Sequence, residues 1–127
     1  FDLLRSDRAS KGDVLATAHL AGVMAAKNAS SLIPLAHPIP LDAIELGFTL
    51  DPQGPSVEIE SRVRTRAPTG VEMEALTAVT VAALAVYDML KAVDRGMVMG
   101  EFALWEKRGG RSGVFRRARA ARARPAR

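Results

Sequence analysis

From residue 75 to residue 87 the chain carries no charge, and its apolar and small side chains point to every side of a helical wheel. A helix that is apolar almost all round must be buried on most sides. The spacing predicts such a helix over residues 73–93. A chain of 127 residues has little material to cover it, so burial by other subunits is expected as well. The uncharged run is shorter than the ~20 residues a bilayer crossing needs. No signal peptide is visible in the sequence. The expectation is a cytoplasmic protein that does not engage a membrane.

What can pack on that helix follows from the rest of the sequence. Hydrophobic residues make up 48% of the chain but aromatics only 5%, so the core must rest on small side chains and close backbone approach. Ser10 and Asp13 have capping-box spacing, and Val14, Ala18, Ala21 and Ala25 recur at helical period, which predicts a first helix over residues 13–28. Pro34, Pro38 and Pro40 fix several φ angles and make the next stretch a rigid, non-helical loop holding His37. Ile44, Leu46, Phe48 and Leu50 alternate, as do Val57, Ile59 and Val63, with a turn between them at residues 51–55. This reads as an antiparallel hairpin. Thr69 and Glu72 repeat the capping-box pattern before the long helix, and Val98, Phe102 and Leu104 mark a last strand over residues 97–107. The order is α-β-β-α-β. One strand before the first helix, upstream of Phe1, would complete a βαββαβ ferredoxin-like plan of class α+β, an antiparallel sheet packed by two helices. A single catalytic domain is expected over residues 1–115, and an Arg/Ala-rich tail over 116–127 is expected to be disordered.

The charged residues are strongly biased. Fourteen arginines stand against four lysines, Lys11, Lys27, Lys91 and Lys107. An ammonium can give up its proton where a guanidinium practically never does, so the lysines are the first candidates for chemistry. The formal charge of +4 suggests nucleic acid, but six arginines lie in the last twelve residues, and the body without them holds 12 basic against 14 acidic residues. A nucleic-acid-binding ferredoxin-like module would need aromatics on its sheet, and Phe48, Phe102 and Trp105 are few and scattered. With no cysteine and two histidines, neither a disulfide nor a transition-metal site is expected.

Asp88 and Lys91, three apart in an apolar helix, form a candidate acid/base pair, against the plainer reading of a structural ion pair. Glu72 and Glu74 begin the same helix, where carboxylates also suit the dipole. Glu74 and Asp88 are roughly 21 Å apart along the axis, so one helix face offers acid at both ends. His37 in its proline-held loop is a candidate ligand for substrate, while His19 reads as structural. Lys11 precedes a helix start and suits phosphate. Lys27 suits the dipole at a helix end, and Lys107 precedes the glycine-rich residues 109–113.

Several segments, taken in order, closely resemble one family: Lys11-Gly12-Asp13-Val14-Leu15, Leu32-Ile33-Pro34-Leu35-Ala36-His37-Pro38, residues 69–77 beginning Thr69-Gly70-Val71-Glu72-Met73-Glu74, and Val86-Tyr87-Asp88-Met89-Leu90-Lys91-Ala92. They look like cyclic pyranopterin monophosphate synthase, the molybdenum cofactor biosynthesis protein C family. Glu106-Lys107 and Gly109-Gly110-Arg111-Ser112-Gly113 match its C-terminal end. The resemblance implies a lyase that converts a cyclised dihydroguanosine triphosphate, made from GTP, into cyclic pyranopterin monophosphate with release of pyrophosphate. It implies a ferredoxin-like subunit, a hexamer built as a trimer of dimers, and active sites at subunit interfaces. It implies catalytic roles for Asp88, Lys91 and Lys11, and substrate contacts from Leu35, Ala36, His37, Glu72, Met73, Glu74, Lys27 and Lys107. No cofactor is required by the protein on this reading, and any Mg2+ arrives with the triphosphate. The partners are a small nucleotide-derived substrate and copies of the chain itself, without nucleic acid or membrane. Ala36 stands where many relatives carry a cysteine, so a thiol there is not needed for catalysis in this chain.

Overall fold

The computed structural model describes residues 1–6, 13–110 and 113–118. In chain order the elements are α1 (Asp2–Ser6), α2 (Val14–Lys27), α3 (Ala29–Leu32), β1 (Ala43–Asp51), β2 (Ser56–Arg64), α4 (Glu72–Leu90), β3 (Glu106–Lys107) and β4 (Phe115–Arg116). The fold is α+β and fits the ferredoxin-like plan: an antiparallel hairpin with two long helices packed on it.

α2 begins where the sequence predicts. Asp13 is its N-cap, and the carboxylate accepts from the Ala16 amide at 2.9 Å, satisfying an amide with no partner inside the helix. Ser10, the other half of that expected box, lies outside the described residues. β1 and β2 pair in one continuous register from Ala43 opposite Arg64 to Asp51 opposite Ser56. Leu46, Phe48, Leu50, Val57 and Ile59 turn toward the core, while Glu45, Thr49, Glu58, Glu60 and Arg62 face outward.

α2 and α4 run antiparallel. Val14 and Ala18 pack with Ala82, Val86 and Leu90, and further along α2 Gly22 lies over the Ala78 carbonyl. The buried residues of α4 are Glu74, Ala78, Ala82, Val86 and Leu90, a single i,i+4 stripe. By length and composition α4 could cross a membrane, but that stripe is packed on α2 and its neighbour face on β2. Among the described residues α4 therefore serves as a core helix.

Four expectations need correction. The strand expected over residues 97–107 narrows to Glu106–Lys107, which pairs with Phe115–Arg116 and not with the hairpin. Alternating apolar residues mark a strand only where a neighbour takes up its backbone groups. Residues 97–105 turn instead through Glu101, whose φ of 59° is left-handed. Second, Thr69 and Glu72 do not form a capping box. Val71 is the N-cap without a side-chain bond, and Glu72 is the first helical residue, pulled toward Lys107. Third, the short helices α1 and α3 went unread, since a five- or four-residue helix has too few turns to show a period. Within this one chain α4 is buried along one stripe and half-covered beside it, leaving Met73, Thr80, Leu84 and Asp88 exposed. Fourth, Arg116 and Arg117, assigned to the tail, pair back: Arg116 lies in β4 and the Arg117 amide donates to the Trp105 carbonyl at 2.7 Å. Residues 119–127 lie outside the described residues.

The Gly22 contact tests this packing. A Cβ there would sit 2.8 Å from Leu46 Cδ2 and 3.1 Å from the Ala78 carbonyl oxygen, whereas one at Gly47 would meet nothing within 4 Å. Gly22→Val is expected to lower unfolding free energy by about 1–3 kcal/mol, and Gly47→Ala to change it by less than about 0.5 kcal/mol, both read from urea unfolding curves.

Candidate active site

The expected site residues fall into two groups at opposite ends of α4. At its C-terminal end Lys91 Nζ meets Asp88 Oδ1 at 2.9 Å. The i,i+3 spacing places both side chains on one side of the helix. The pair was expected in a dry setting. Within one chain it is wet, with Asp88 60% and Lys91 44% exposed. Tyr87 steadies this end by donating its hydroxyl to the Arg95 carbonyl at 3.0 Å.

The other group gathers at the N-terminal end of α4. Lys107 Nζ lies 2.8 Å from Glu72 Oε2, and at 27% and 30% exposure this is the better shielded pair. Two glycines border it, Gly70 by leaving space and Gly110 by its backbone. The Glu72 carboxylate folds over Gly70, where a Cβ would come within 2.5 Å of Oε1, and the Lys107 ammonium passes 3.9 Å from the Cβ position of Gly110. Gly110 holds a φ of 76° that only glycine adopts without strain. The glycine-rich stretch thus bends back toward Lys107, although Arg111 and Ser112 lie outside the described residues. In the β3–β4 pair behind Lys107, Glu106 accepts from Arg108 on its own side and faces Arg116 of β4 at 3.8 Å. The Arg108 bond, with the charges of Arg108 and Arg116, holds the Glu106 carboxyl below the ordinary carboxylate range against the opposing effect of burial.

Beside Glu72, Met73 is partly exposed and Glu74 is buried, 4% exposed. Glu74 is thus not a surface carboxylate compensating the dipole; it ends the stripe that packs toward α2. Ser61 Oγ donates to the Ala75 carbonyl at 2.7 Å and ties this end of α4 to β2. Lys27 closes α2 at the same end of the antiparallel helix pair, and its side chain is exposed. The chain then passes through α3, which rests on α4, into the loop of Leu35, Ala36 and His37. Leu35 and His37 are exposed and Ala36 is half-buried. The loop rejoins the body where Thr65 Oγ1 donates to the Pro40 carbonyl at 2.7 Å and the Asp42 amide to the Arg64 carbonyl at 2.8 Å. Lys11 lies outside the described residues.

One chain therefore assembles Glu72, Met73, Glu74 and Lys107, brings Lys27 and the His37 loop to the same end, and leaves Asp88 and Lys91 at the far end. Gly70 and Gly110 were missed as residues that shape the site. Their adjacency to Glu72 and Lys107 in sequence was the available signal. Among the described residues no group of three or more His, Cys, Asp or Glu is placed to hold a metal ion.

Comparison with known proteins follows the same residues. The family model described as MoaC family matches residues 1–110. A cyclic pyranopterin monophosphate synthase of Thermomicrobium roseum is 61% identical over 115 residues, which cover 91% of this chain and 69% of that protein. Proteins of the same name from Heliobacterium modesticaldum and Pelotomaculum thermopropionicum are each 58% identical, over 91% of this chain and 72% and 68% of their own lengths.

The shielding of the Glu72–Lys107 pair should be measurable. A double-mutant cycle with Glu72→Gln and Lys107→Met is expected to give a coupling of about 1 kcal/mol, against roughly 0.3 kcal/mol for the exposed Glu45–Arg64 pair. For Glu106, a lowered carboxyl means a stabilising contribution present above the unfolded value and lost as pH falls through the folded one. NMR titration should find Glu106 ionised to lower pH than an ordinary glutamate, and Arg108→Ala should move its midpoint upward.

Proposed function

The chain belongs to the MoaC family, and from that premise we infer that Asp88 and Lys91 are the proton-handling pair of a cyclic pyranopterin monophosphate synthase. The activity is that of a lyase in molybdenum cofactor biosynthesis. The observation that carries the residue assignment is the 2.9 Å contact of Lys91 with Asp88 at the open end of α4. An ammonium held by a carboxylate within hydrogen-bond reach can deliver a proton and retrieve it without diffusing away.

The substrate is a cyclised dihydroguanosine triphosphate, and its conversion divides into two kinds of step. Opening and reclosing the ring system requires protons to be given and taken at nitrogen and oxygen, the work of Lys91 with Asp88 holding its charge. Formation of the cyclic monophosphate requires a substrate hydroxyl to attack the α-phosphorus. The hydroxyl proton passes to a base, the bond to the bridging oxygen breaks, and pyrophosphate departs with that electron pair. Charge grows on the leaving group, so cations must face it. Lys107, Lys27 and Lys11 supply ammonium groups for this, and Mg2+ accompanies the triphosphate as part of the substrate. No protein-bound cofactor is needed. Leu35, Ala36 and His37 line the site, while Met73 and Glu74, with Glu72 beside them, meet the pterin-like end.

A small substrate cannot span the length of α4. The two groups of residues thus favour a site shared between subunits, in keeping with a hexamer arranged as a trimer of dimers. The competing reading, a nucleic-acid-binding module, loses one of its three aromatics, because Phe48 packs against the core. The remaining reading, an inactive binding or assembly subunit of the same family, has to explain why Glu72, Lys107, Asp88 and Lys91 are still paired as ions.

Incubation with the cyclised triphosphate should yield cyclic pyranopterin monophosphate and one pyrophosphate per turnover. Lys91→Ala and Asp88→Asn are each expected to lower kcat by about 10²–10⁴-fold with the circular dichroism spectrum unchanged. Wild-type turnover in either variant would remove the pair from the chemistry.

A further inference from the structure

α4 ends at Leu90, and Lys91 is its C-cap. The acid/base pair therefore straddles a helix end, with Asp88 in the last turn and Lys91 just past it. Helix ends fray, because their last carbonyls have no partner within the helix. The contact between Asp88 and Lys91 does not prevent this by itself. Both side chains meet solvent. An exposed ion pair gains little from its own attraction and pays entropy to hold two flexible side chains in one geometry. The 2.9 Å separation thus depends on the backbone that carries Lys91.

That backbone leads into a turn that packing does not hold. Residues 92–96 are all exposed, Val93 at 71%, and Met97 is the next side chain to pack against the core. Hydrogen bonds must hold what packing does not. The Leu90 carbonyl accepts from the Val93 amide at 2.9 Å and the Asp94 amide at 3.0 Å, which closes the first part of the turn. Asp94 Oδ1 accepts from the Gly96 amide at 2.8 Å and shapes its tip. Tyr87 spans the whole of it. Its carbonyl accepts from the Lys91 amide at 2.8 Å, and its hydroxyl donates to the Arg95 carbonyl at 3.0 Å. One residue grips the turn at both ends, and Lys91 sits at the near grip. We propose that Tyr87 is a positioning residue for Lys91: its hydroxyl keeps the end of α4 from unwinding and so keeps the ammonium within hydrogen-bond reach of Asp88. This rests on the reading of Asp88 and Lys91 as the proton-handling pair, and adds what keeps the two together. A proton donor acts only from the right place, so a loosened Lys91 slows turnover. Glu72, Met73 and Lys107 lie at the other end of α4, so substrate binding there is untouched.

Tyr87→Phe removes the hydroxyl and leaves the ring. The control is Asp94→Ala, which loosens the tip of the same turn and spares the Tyr87 bond. For both variants of the full chain, kcat and KM are measured with the cyclised triphosphate. With four lysines in the chain, labelling lysine with 13C at the ε-carbon gives at most four signals. The Lys91 signal is assigned by its loss in Lys91→Arg. Because the ring stays, its ring current stays, and a moved Lys91 signal reports the contact with Asp88. Tyr87→Phe is expected to lower kcat ~3–10-fold, the worth of about one hydrogen bond, with KM within about twofold. Its Lys91 signal should lie where Asp88→Asn puts it, with the Lys27 and Lys107 signals unmoved. Asp94→Ala should keep kcat within about twofold. An unchanged kcat in Tyr87→Phe overturns the proposal. So does a lower kcat with the Lys91 signal in its wild-type place, or an equal loss in Asp94→Ala. The underlying reading fails separately, by wild-type turnover in Lys91→Ala.

Discussion

The close approach of α2 to α4 at Gly22 and Ala78 is the contact on which the remaining geometry depends. With almost no aromatic residue to fill space, the two helices can be joined to the hairpin only by coming near enough for alanine, glycine and valine to touch. Dispersion is strong only at contact distance, so small side chains stabilise a core by letting backbones approach. Gly22 admits Leu46 of β1 and the Ala78 carbonyl at one point, and thereby sets the height of both helices above the sheet.

That arrangement decides where the chemistry can lie. An antiparallel helix pair sends the end of α2, the His37 loop and the start of α4 to one end of the molecule, and Asp88 with Lys91 to the other. α4 acts as a rigid spacer between two sets of charged groups, Glu72 with Lys107 and Asp88 with Lys91. The pair that is partly shielded, Glu72 with Lys107, is held by elements distant in sequence. The pair that is exposed, Asp88 with Lys91, is held by one helical turn alone. An acid/base pair that works by delivering protons benefits from exclusion of water, and a single chain does not provide that exclusion at Asp88.

Legibility in the sequence followed the range of the forces involved. The two long helices and the hairpin were readable because their patterns repeat over several turns or several residue pairs. The Asp88–Lys91 contact was readable because i,i+3 geometry needs no tertiary information. Glu72 was misassigned because its local option, closing a box with Thr69, lost to a cation 35 residues further on. The strand drawn over residues 97–107 shrank to a two-residue pair because alternation specifies a face and never a partner. Glu74 stood as a helix-start carboxylate in the sequence, and its burial came with the packing of its stripe of α4.

By itself the sequence determined the two long helices and the hairpin, the small-residue character of the core and the family, because each of these depends on residue type and on spacing within one turn or one strand. The tertiary structure alone decided that Lys107 belongs to Glu72, that Gly70 leaves room for the Glu72 carboxylate, that Glu74 is buried, and that Lys27 and the His37 loop come to the Glu72 end of α4. Those facts depend on which backbone passes beside which, a distance in space that no pattern along the chain encodes.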